Sequence, residues 1–294
     1  MNSGHEDIRQ EKIQYENPLL SIKVWHARRD RANTVNWHQH PECEIMLVLN
    51  GRLDVEVENE LFSLGSDDVI VLGSSQLHRD RSYADKLDYI VLQFDLQTFF
   101  DKSTIPYLQY FNETKVPLSA MNYIFRDNPK AREELAECVR QIDEEAQRKE
   151  SGYELAVNLL IKKILLILIR NDTKGLLADQ DRVERIRLKP VLDYVDRNIA
   201  ERITVEEACR LANMSYYYFV KFFKRTMGLS FTEYVNFRKI KYAEQLLLTR
   251  DLSVSEVGDM TGMPNMAHFY KMFRRFNQCS PKEFQRKMLA WGRP

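Results

Sequence analysis

Residues 204–225 read "TVEEACRLANMSYYYFVKFFKR", and residues 253–275 return the same pattern as "SVSEVGDMTGMPNMAHFYKMFRR". The offset is 49 residues, becoming 50 after one extra residue at the second turn, and "SFTEY" at 230–234 is answered by "SPKEF" at 280–284. Self-similarity at this period marks a repeated supersecondary unit. Each copy reads as a short helix, a tight turn and a longer helix, spanning 205–225 and 254–275.

The letters carry the marks of a helix-turn-helix. The first helix must approach the second closely, and its inner position holds a small residue, Cys209 in one copy and Gly258 in the other. Four residues later the turn needs a left-handed backbone, which Asn213 and Gly262 tolerate. Phe219, Phe222 and Phe223, and likewise Phe269 and Phe273, recur at three- and four-residue spacing as the buried stripe. Left facing out are Tyr217, Lys221, Lys224 and Arg225, then His268, Lys271, Arg274 and Arg275, a surface for phosphates and base edges.

Charge divides along the same line. Residues 187–294 hold 19 Lys and Arg against 11 Asp and Glu, and residues 1–186 hold 24 against 32, so a part at +8 follows a part at −8. One domain is built to approach a polyanion and the other is not. A chain of 294 residues is long enough for both to have cores.

The four cysteines, Cys43, Cys138, Cys209 and Cys279, lie far apart without a CxxC, so neither a disulfide framework nor a zinc finger is expected. The N-terminal "MNSGHEDIRQEKIQ" lacks the apolar core of a secretory signal, and "ILLILI" at 164–169 is too short to span a bilayer. A soluble, cytoplasmic protein is the expectation. No GxxxxGK[ST] loop suggests an ATP-driven protein.

From Leu19 to Phe94 the chain reads as short strands, "LLSIKVW", "EIMLVL", "LDVEVE", "LFSL", "VIVL" and "DYIVLQF". Asn50-Gly51 is the dipeptide of a type I′ hairpin turn. From Pro129 to Arg170 the pattern turns helical, and the second segment, "GYELAVNLLIKKILLILIRN", is apolar around most of its circumference and so is expected to bury nearly all of itself. The helix pair offers a dimerisation surface, with intrachain packing as the plainer alternative. The polar stretch beginning "NDTKGLLADQDRVER" reads as a linker.

From Leu188 to Arg286 the sequence resembles the AraC/XylS family of bacterial transcription regulators. The match runs through "VLDYVDRNI", both helix-turn-helix units, the connecting "FTEYVNFRKIKYAEQLLL" with Arg238, Ala243, Leu246 and Leu247, and the closing Ser280-Pro281. Three positions depart from the pattern: Met263 stands for Phe, Gln278 for Gly, and Gln285 separates Arg286 from the last aromatic. The resemblance implies double-stranded DNA as partner, with Tyr217, Val220 and Lys221, and then Met266, Ala267, His268 and Lys271, reading bases in successive major-groove segments about 34 Å apart. It also implies an activator that touches RNA polymerase.

The stretch "HQHPECEIMLVLNG" at 38–51 opens a second question. His38, His40 and Glu44 would share one face of a strand that continued through Pro41, and His78 could close the set. The spacing is similar to the first motif of the cupin superfamily, H-x-H-x3-E-x6-G, with Gly51 last, although "VLGSSQLH" lacks the Pro usual before the last His. Three imidazoles and a carboxylate suit iron, manganese, zinc or nickel. A barrel joined to this DNA-binding domain also resembles the arabinose-binding sensor of the same family. There His38, His40, Glu44 and His78 would meet the hydroxyls of a carbohydrate effector and Trp37 would stack on its C–H face. Histidines satisfied within a core are the third reading.

The expected architecture is an α+β chain of two domains. An antiparallel β-barrel of cupin or jelly-roll type occupies 1–128, a helical dimerisation element 129–170, a linker 171–187 and an all-α domain with two helix-turn-helix units 188–286. A homodimer regulated by a small effector is expected, with no cofactor and no catalysis. The rivals are a cupin metalloenzyme or metal sensor fused to a DNA-binding domain, and a constitutive DNA-binding protein whose barrel serves only for assembly.

Overall fold

The computed structural model describes residues 9–291 apart from 12, 16–19, 59, 84–85, 101–103, 105–106, 108–109, 112–115, 178–181, 228 and 278. Gln278, the centre of the expected linker and the first eight residues therefore lie outside the described residues. The chain divides into two compact units, Met1–Ala178 and Asp179–Pro294.

Among the described residues, ten strands lie in the first unit: β1 Arg9–Gln10, β2 Ile22–Arg29, β3 Asn33–Thr34, β4 His38–Gln39, β5 Cys43–Asn50, β6 Leu53–Val57, β7 Glu60–Leu64, β8 Val69–Leu72, β9 His78–Ser82 and β10 Leu87–Phe94. They form two sheets, one in the order β1-β4-β9-β6-β7 with β3 also on β9, the other in the order β2-β10-β5-β8. Pairing is antiparallel except for β1 on β4. Met46, Val48, Ile70, Leu72, Tyr89 and Val91 of the second sheet meet Leu53, Val55, Val57 and Leu64 of the first in one buried cluster, so the core lies between the sheets.

Two expectations are corrected here. Among the described residues the strands do not close into a barrel, because the chain passes from sheet to sheet without ladder bonds joining the edges. Asn50-Gly51 is one such passage and not a hairpin turn. β5 ends in one sheet and β6 begins in the other, and of the two residues only Gly51 has positive φ, at 97°. A Cβ on Gly51 would collide with the Lys86 carbonyl, so the glycine serves a close backbone approach.

Helices α1 Tyr123–Asp127, α2 Pro129–Arg148 and α3 Tyr153–Asn171 complete the unit. Asn128 caps α2 by accepting from the Ala131 amide, and Pro129 occupies the first helical position. α2 crosses the outer face of the second sheet, where Asp143 meets His26 Nε2 at 2.5 Å and Arg132 pairs with Asp68 at 2.9 Å. α3 packs on α2 but does not bury itself as its sequence suggests: Leu155, Leu159 and Leu166 are 77%, 68% and 40% exposed. Its apolar surplus lies along one open stripe.

The second unit consists of α4 Arg182–Arg197, α5 Val205–Ala212, α6 Tyr216–Met227, α7 Phe231–Thr249, α8 Val254–Met260, α9 Met266–Asn277 and α10 Pro281–Trp291. Both halves repeat one plan. Ser230 and Ser280 open α7 and α10, each bonded to the carboxylate three residues on, Glu233 and Glu283. Phe219, Phe222 and Phe223, and Phe269 and Phe273, are buried, with Phe223 edge-on to Phe231 and Phe273 edge-on to Phe284.

Candidate sensor site and nucleic-acid interface

The turn chemistry of the repeat is realised. Asn213 ends α5 at φ 52°, and Gly262 follows α8 at φ 63°. Gly258 admits the next helix so closely that a Cβ would stand 2.9 Å from Met266 Sδ. Met263 is buried, its amide donating to the Gly258 carbonyl at 2.9 Å, and so fills the place of the family's Phe.

On α6, Tyr217, Val220, Lys221, Lys224 and Arg225 are all exposed, with the Lys221 ammonium 4.5 Å over the Tyr217 ring. On α9, Ala267, His268, Lys271, Arg274 and Arg275 are exposed, while Met266 is half-buried over Gly258. Arg275 is engaged within the chain, donating to Glu233 at 2.8 Å. The two faces thus share a basic edge and differ in aromatic content, three tyrosines at 216–218 against His268 alone.

The connecting helix α7 carries polar groups that the sequence pattern did not single out. Lys239 is buried and its ammonium donates to the carbonyls of Glu201 at 2.7 Å, Thr261 at 2.9 Å and Gly262 at 3.1 Å. Glu244 accepts from Asn277 at 2.8 Å, and Arg238 pairs with Asp196 at 2.8 Å. One helix therefore holds the entry to the first helix-turn-helix, the turn of the second and the end of its recognition helix.

In the first unit the inward faces follow from register. Val57, Val55 and Leu53 of β6 oppose His78, Asp80 and Ser82 of β9, and these alternate positions point between the sheets. By the same alternation Glu44 on β5 and Gln93 on β10, which oppose each other, point in beyond Met46 and Val91. His38 opposes His78. The single strand expected from His38 to Glu44 does not exist: β4 ends at Gln39, β5 begins at Cys43, and the chain crosses between sheets around Pro41. The crossing still brings His40 Nε2 to 3.0 Å from Glu44 Oε2, with His78 Nε2 3.8 Å from Glu44 Oε1.

A common hydrogen-bond pattern orients the three imidazoles. Each Nδ1 faces a backbone carbonyl: His38 with Asn36 at 3.0 Å, His40 with Glu42 at 3.1 Å, His78 with Gln76 at 2.8 Å. A carbonyl only accepts, so each Nδ1 carries a proton. The Glu44 carboxylate also only accepts, so His40 Nε2 carries a second one: burial works against that charge, but the Glu44 bond and the fields of Glu44, Glu42 and Glu11 hold the His40 imidazole above its ordinary range, and only the Nε2 atoms of His38 and His78 keep a lone pair. One ligand atom from each of the three buried residues lies within 4.8 Å of the others. The His78 Nε2 is buried with no hydrogen-bond partner. Two donors about 2.1 Å from one ion stand at most about 4.2 Å apart, so inward movement of a ring by less than about 1 Å fits a first-row divalent cation.

Electrostatics prepare the same point. Burial works against the charge of Glu44, but the His40 bond, the fields of His78 and His40 and the Gln93 amide at 2.6 Å hold its carboxyl down at about 2. Burial pushes the His78 imidazole below its ordinary range, toward the neutral form a cation requires. Deeper between the sheets Arg29 pairs with buried Asp80, and its guanidinium donates to the Tyr89 hydroxyl at 2.5 Å. Trp37 is not part of this set. It stacks with Arg79, 4.7 Å away, and Arg79 alternates with His78 onto the outer face of its sheet.

Residues 208–287 match the family model described as a helix-turn-helix domain, and residues 24–164 match that of the AraC-like ligand binding domain. The chain belongs to the AraC/XylS family of transcription regulators. It is 22% identical over 256 residues to the probable transcriptional regulator LumQ of Photobacterium leiognathi, covering 87% of this chain and 93% of that one. It is 23% identical over 256 residues to the uncharacterised helix-turn-helix-type regulator YdeC of Bacillus subtilis, with 85% of each chain covered. Among solved structures, ToxT from Vibrio cholerae aligns over 91% of this chain and 98% of its own at 13% identity and a TM-score of 0.38.

In this AraC/XylS regulator, Arg29, Asp80, Tyr89, Gln93 and Lys239 are the polar groups that sequence reasoning missed. Alternation in "IKVWHARR" places Arg29 on the face of Trp25 and Ala27, and that was the available signal. Among the described residues no helix is long and apolar enough to cross a membrane.

Proposed function

We propose that the regulator senses a small effector between its two sheets and, as a cytoplasmic homodimer, alters transcription from promoters that it binds through α6 and α9. The observation that carries the sensing is the gathering of buried His38, His40, Glu44, His78 and Gln93 at one end of the space between the sheets, beyond the apolar cluster. Such groups must find partners, and a polyhydroxylated molecule supplies them in number. A carbohydrate or carbohydrate derivative is the effector class. The contacting set is His38, His40, Glu44 and His78, with Gln93 and the Arg29–Asp80 pair added and Trp37 removed.

DNA is read by Tyr217, Val220 and Lys221 of the first recognition helix and by Ala267, His268 and Lys271 of the second. Lys224, Arg225, Arg274 and Arg275 hold phosphates. Met266 stands at the rim and reads little. α2 lies across the sheet that carries Glu44 and Gln93, and α3 lies on α2, so the dimer surface adjoins the sensing sheet. An effector that favours one arrangement shifts the population that engages DNA and RNA polymerase.

A second reading is favoured by the three imidazoles within ligand distance: once His40 gives up its second proton, the same cluster holds a divalent cation, either as the sensed species or beneath it. The melting temperature of the full chain across a panel of sugars and divalent metals separates the two, because a ligand of the folded state raises it. A rise with one sugar that persists in chelator supports the effector reading. A rise with metal that chelator reverses, and none with sugars, overturns it for the cation. Turnover of any substrate in the metal-loaded protein would contradict the regulator without catalysis.

A further inference from the structure

β2 is an edge strand of the second sheet, and its charges divide between two faces. On the outer face His26 and Arg28 are exposed and both meet Asp88. On the inner face alternation sets Lys23 and Trp25 opposite Gln93 and Val91, and Trp25 packs against the apolar cluster between the sheets. Lys23 and Trp25 are half-buried where Gln93 and Val91 are buried, so the space between the sheets is partly open to solvent along this edge. The charged strand residues that point inward are otherwise matched: Glu44 meets His40 and Gln93, and Asp80 meets Arg29. Lys23 differs. Among the described residues its ammonium pairs with no carboxylate and lies 4.5 Å over the Trp25 ring.

We propose that Lys23 and Trp25 form an anion subsite of the effector pocket, so that the carbohydrate sensed is a sugar acid. The inference rests on the effector reading above and narrows its class. Gln93 opposes both Lys23 and Glu44, so the three stand in one row across neighbouring strands about 4.8 Å apart. A sugar ring laid along that row presents hydroxyls to Glu44 and Gln93, a C–H face to Trp25 and its carboxylate to Lys23. The ammonium leaves the indole for the carboxylate and frees the ring face that the sugar covers. Trp25 thereby takes the stacking role that Trp37 is not placed to fill. A charge-assisted bond in this half-buried position is screened less than one at the open surface, which is what makes the acid the preferred ligand.

The probes are the sugars of the panel above, each beside its uronic acid, with D-galactose and D-galacturonate, then D-glucose and D-glucuronate, as the first pairs. Melting temperature and tryptophan emission of the full chain are read in chelator. One acid is expected to raise the melting temperature more than its neutral parent does, and to change an emission that Trp25→Phe no longer changes. Lys23→Gln should bind that acid more weakly by about 10- to 100-fold and leave the parent's effect as it was, while Lys23→Arg, which keeps the cation, should retain the acid. A neutral sugar as effective as its acid, an acid whose effect survives Lys23→Gln, or an emission change that Trp25→Phe retains overturns the anion subsite and leaves the effector reading standing. No shift with any sugar or sugar acid overturns both.

Discussion

The buried ammonium of Lys239 lies 3.1 Å from the carbonyl oxygen of Gly262, and the same group donates to Thr261 and Glu201. Thr261 and Gly262 form the turn of the second helix-turn-helix, while Glu201 leads into the first. Burial pushes the Lys239 amine below the usual lysine range, so its carbonyl partners are what make an ammonium tenable there. Lys239→Met keeps the stem and removes the donor, leaving three acceptors short of a partner. The expected cost is about 2–4 kcal/mol of unfolding free energy. Denaturant unfolding of the full chain, followed by helical signal, measures it; a loss under about 0.5 kcal/mol would show that water replaces the ammonium freely.

Gly262 and Asn213 occupy equivalent turns but are not equally replaceable. At Gly262, φ is 63° and a Cβ would stand 2.5 Å from both the Ala200 carbonyl oxygen and Lys239 Nζ. Gly262→Ala therefore combines left-handed strain of about 1–2 kcal/mol with a backbone collision, and should cost more than about 2 kcal/mol. Asn213 is exposed at φ 52°, so Asn213→Gly should change stability by less than about 0.5 kcal/mol. Comparable losses for the two variants would refute the argument from packing.

These turns were legible in the sequence because their chemistry is local: a left-handed position, a small residue four before it, and a phenylalanine stripe of helical period. The sensor cluster was legible only in part. Strand alternation named His38, His40 and Glu44, yet the strand breaks at Pro41 and the residues meet because the chain changes sheets, a long-range event without a period. Trp37 stacks with Arg79, a partner 42 residues along that no local pattern names. Asp80 and Lys239 are buried charges and Arg29 a half-buried one, with partners 51 residues away for the Arg29–Asp80 pair and 22 to 38 away for Lys239. No window along the chain contains such pairs. The open stripe on α3 shows the reverse limit: composition predicted burial, and the protein leaves one face uncovered.

Glu233 ties the end of α9 to the start of α7 through Arg275. Its hydrogen bond from Arg275, then that from Ser230, holds its carboxyl below the ordinary range near 4.5. A depressed folded-state value means the contribution is complete above about pH 4.5 and disappears as pH falls through the folded-state pKa. Both partners are more than a third exposed, so the pair is worth about 0.2–1 kcal/mol. Glu233→Gln should flatten that part of the acid limb and release Arg275. If Arg275 then meets a phosphate, log K against log salt steepens by about 0.9. An unchanged slope would place Arg275 away from the DNA.

Lys271 projects from the exposed face of α9, one turn beyond His268. If it reads a base edge, Lys271→Ala costs about 1–3 kcal/mol on the native operator and much less on random DNA of equal length. If Lys224 holds phosphate, Lys224→Ala should weaken both by similar factors. Gel-shift titrations on the two DNAs at one salt concentration make the comparison. Equal losses for Lys271→Ala would reassign it to the backbone.

Leu155, Leu159 and Leu166 project within about 40° of arc on α3, at 100° per residue. They form an exposed stripe 68% open at its centre, on Leu159. A face this apolar on a helix packed from behind by α2 is what an isologous helix pair covers. Leu159→Glu places two carboxylates against each other at such an interface while touching no intrachain core. Sedimentation should therefore turn the full chain from dimer to monomer, with unfolding free energy per chain moved by less than about 0.5 kcal/mol. The monomer should also bind a two-half-site operator more weakly than the dimer does, since the second contact is no longer intramolecular. A wild type that sediments as a monomer, or a variant that remains a dimer, removes α3 from the assembly and leaves its leucines to another partner.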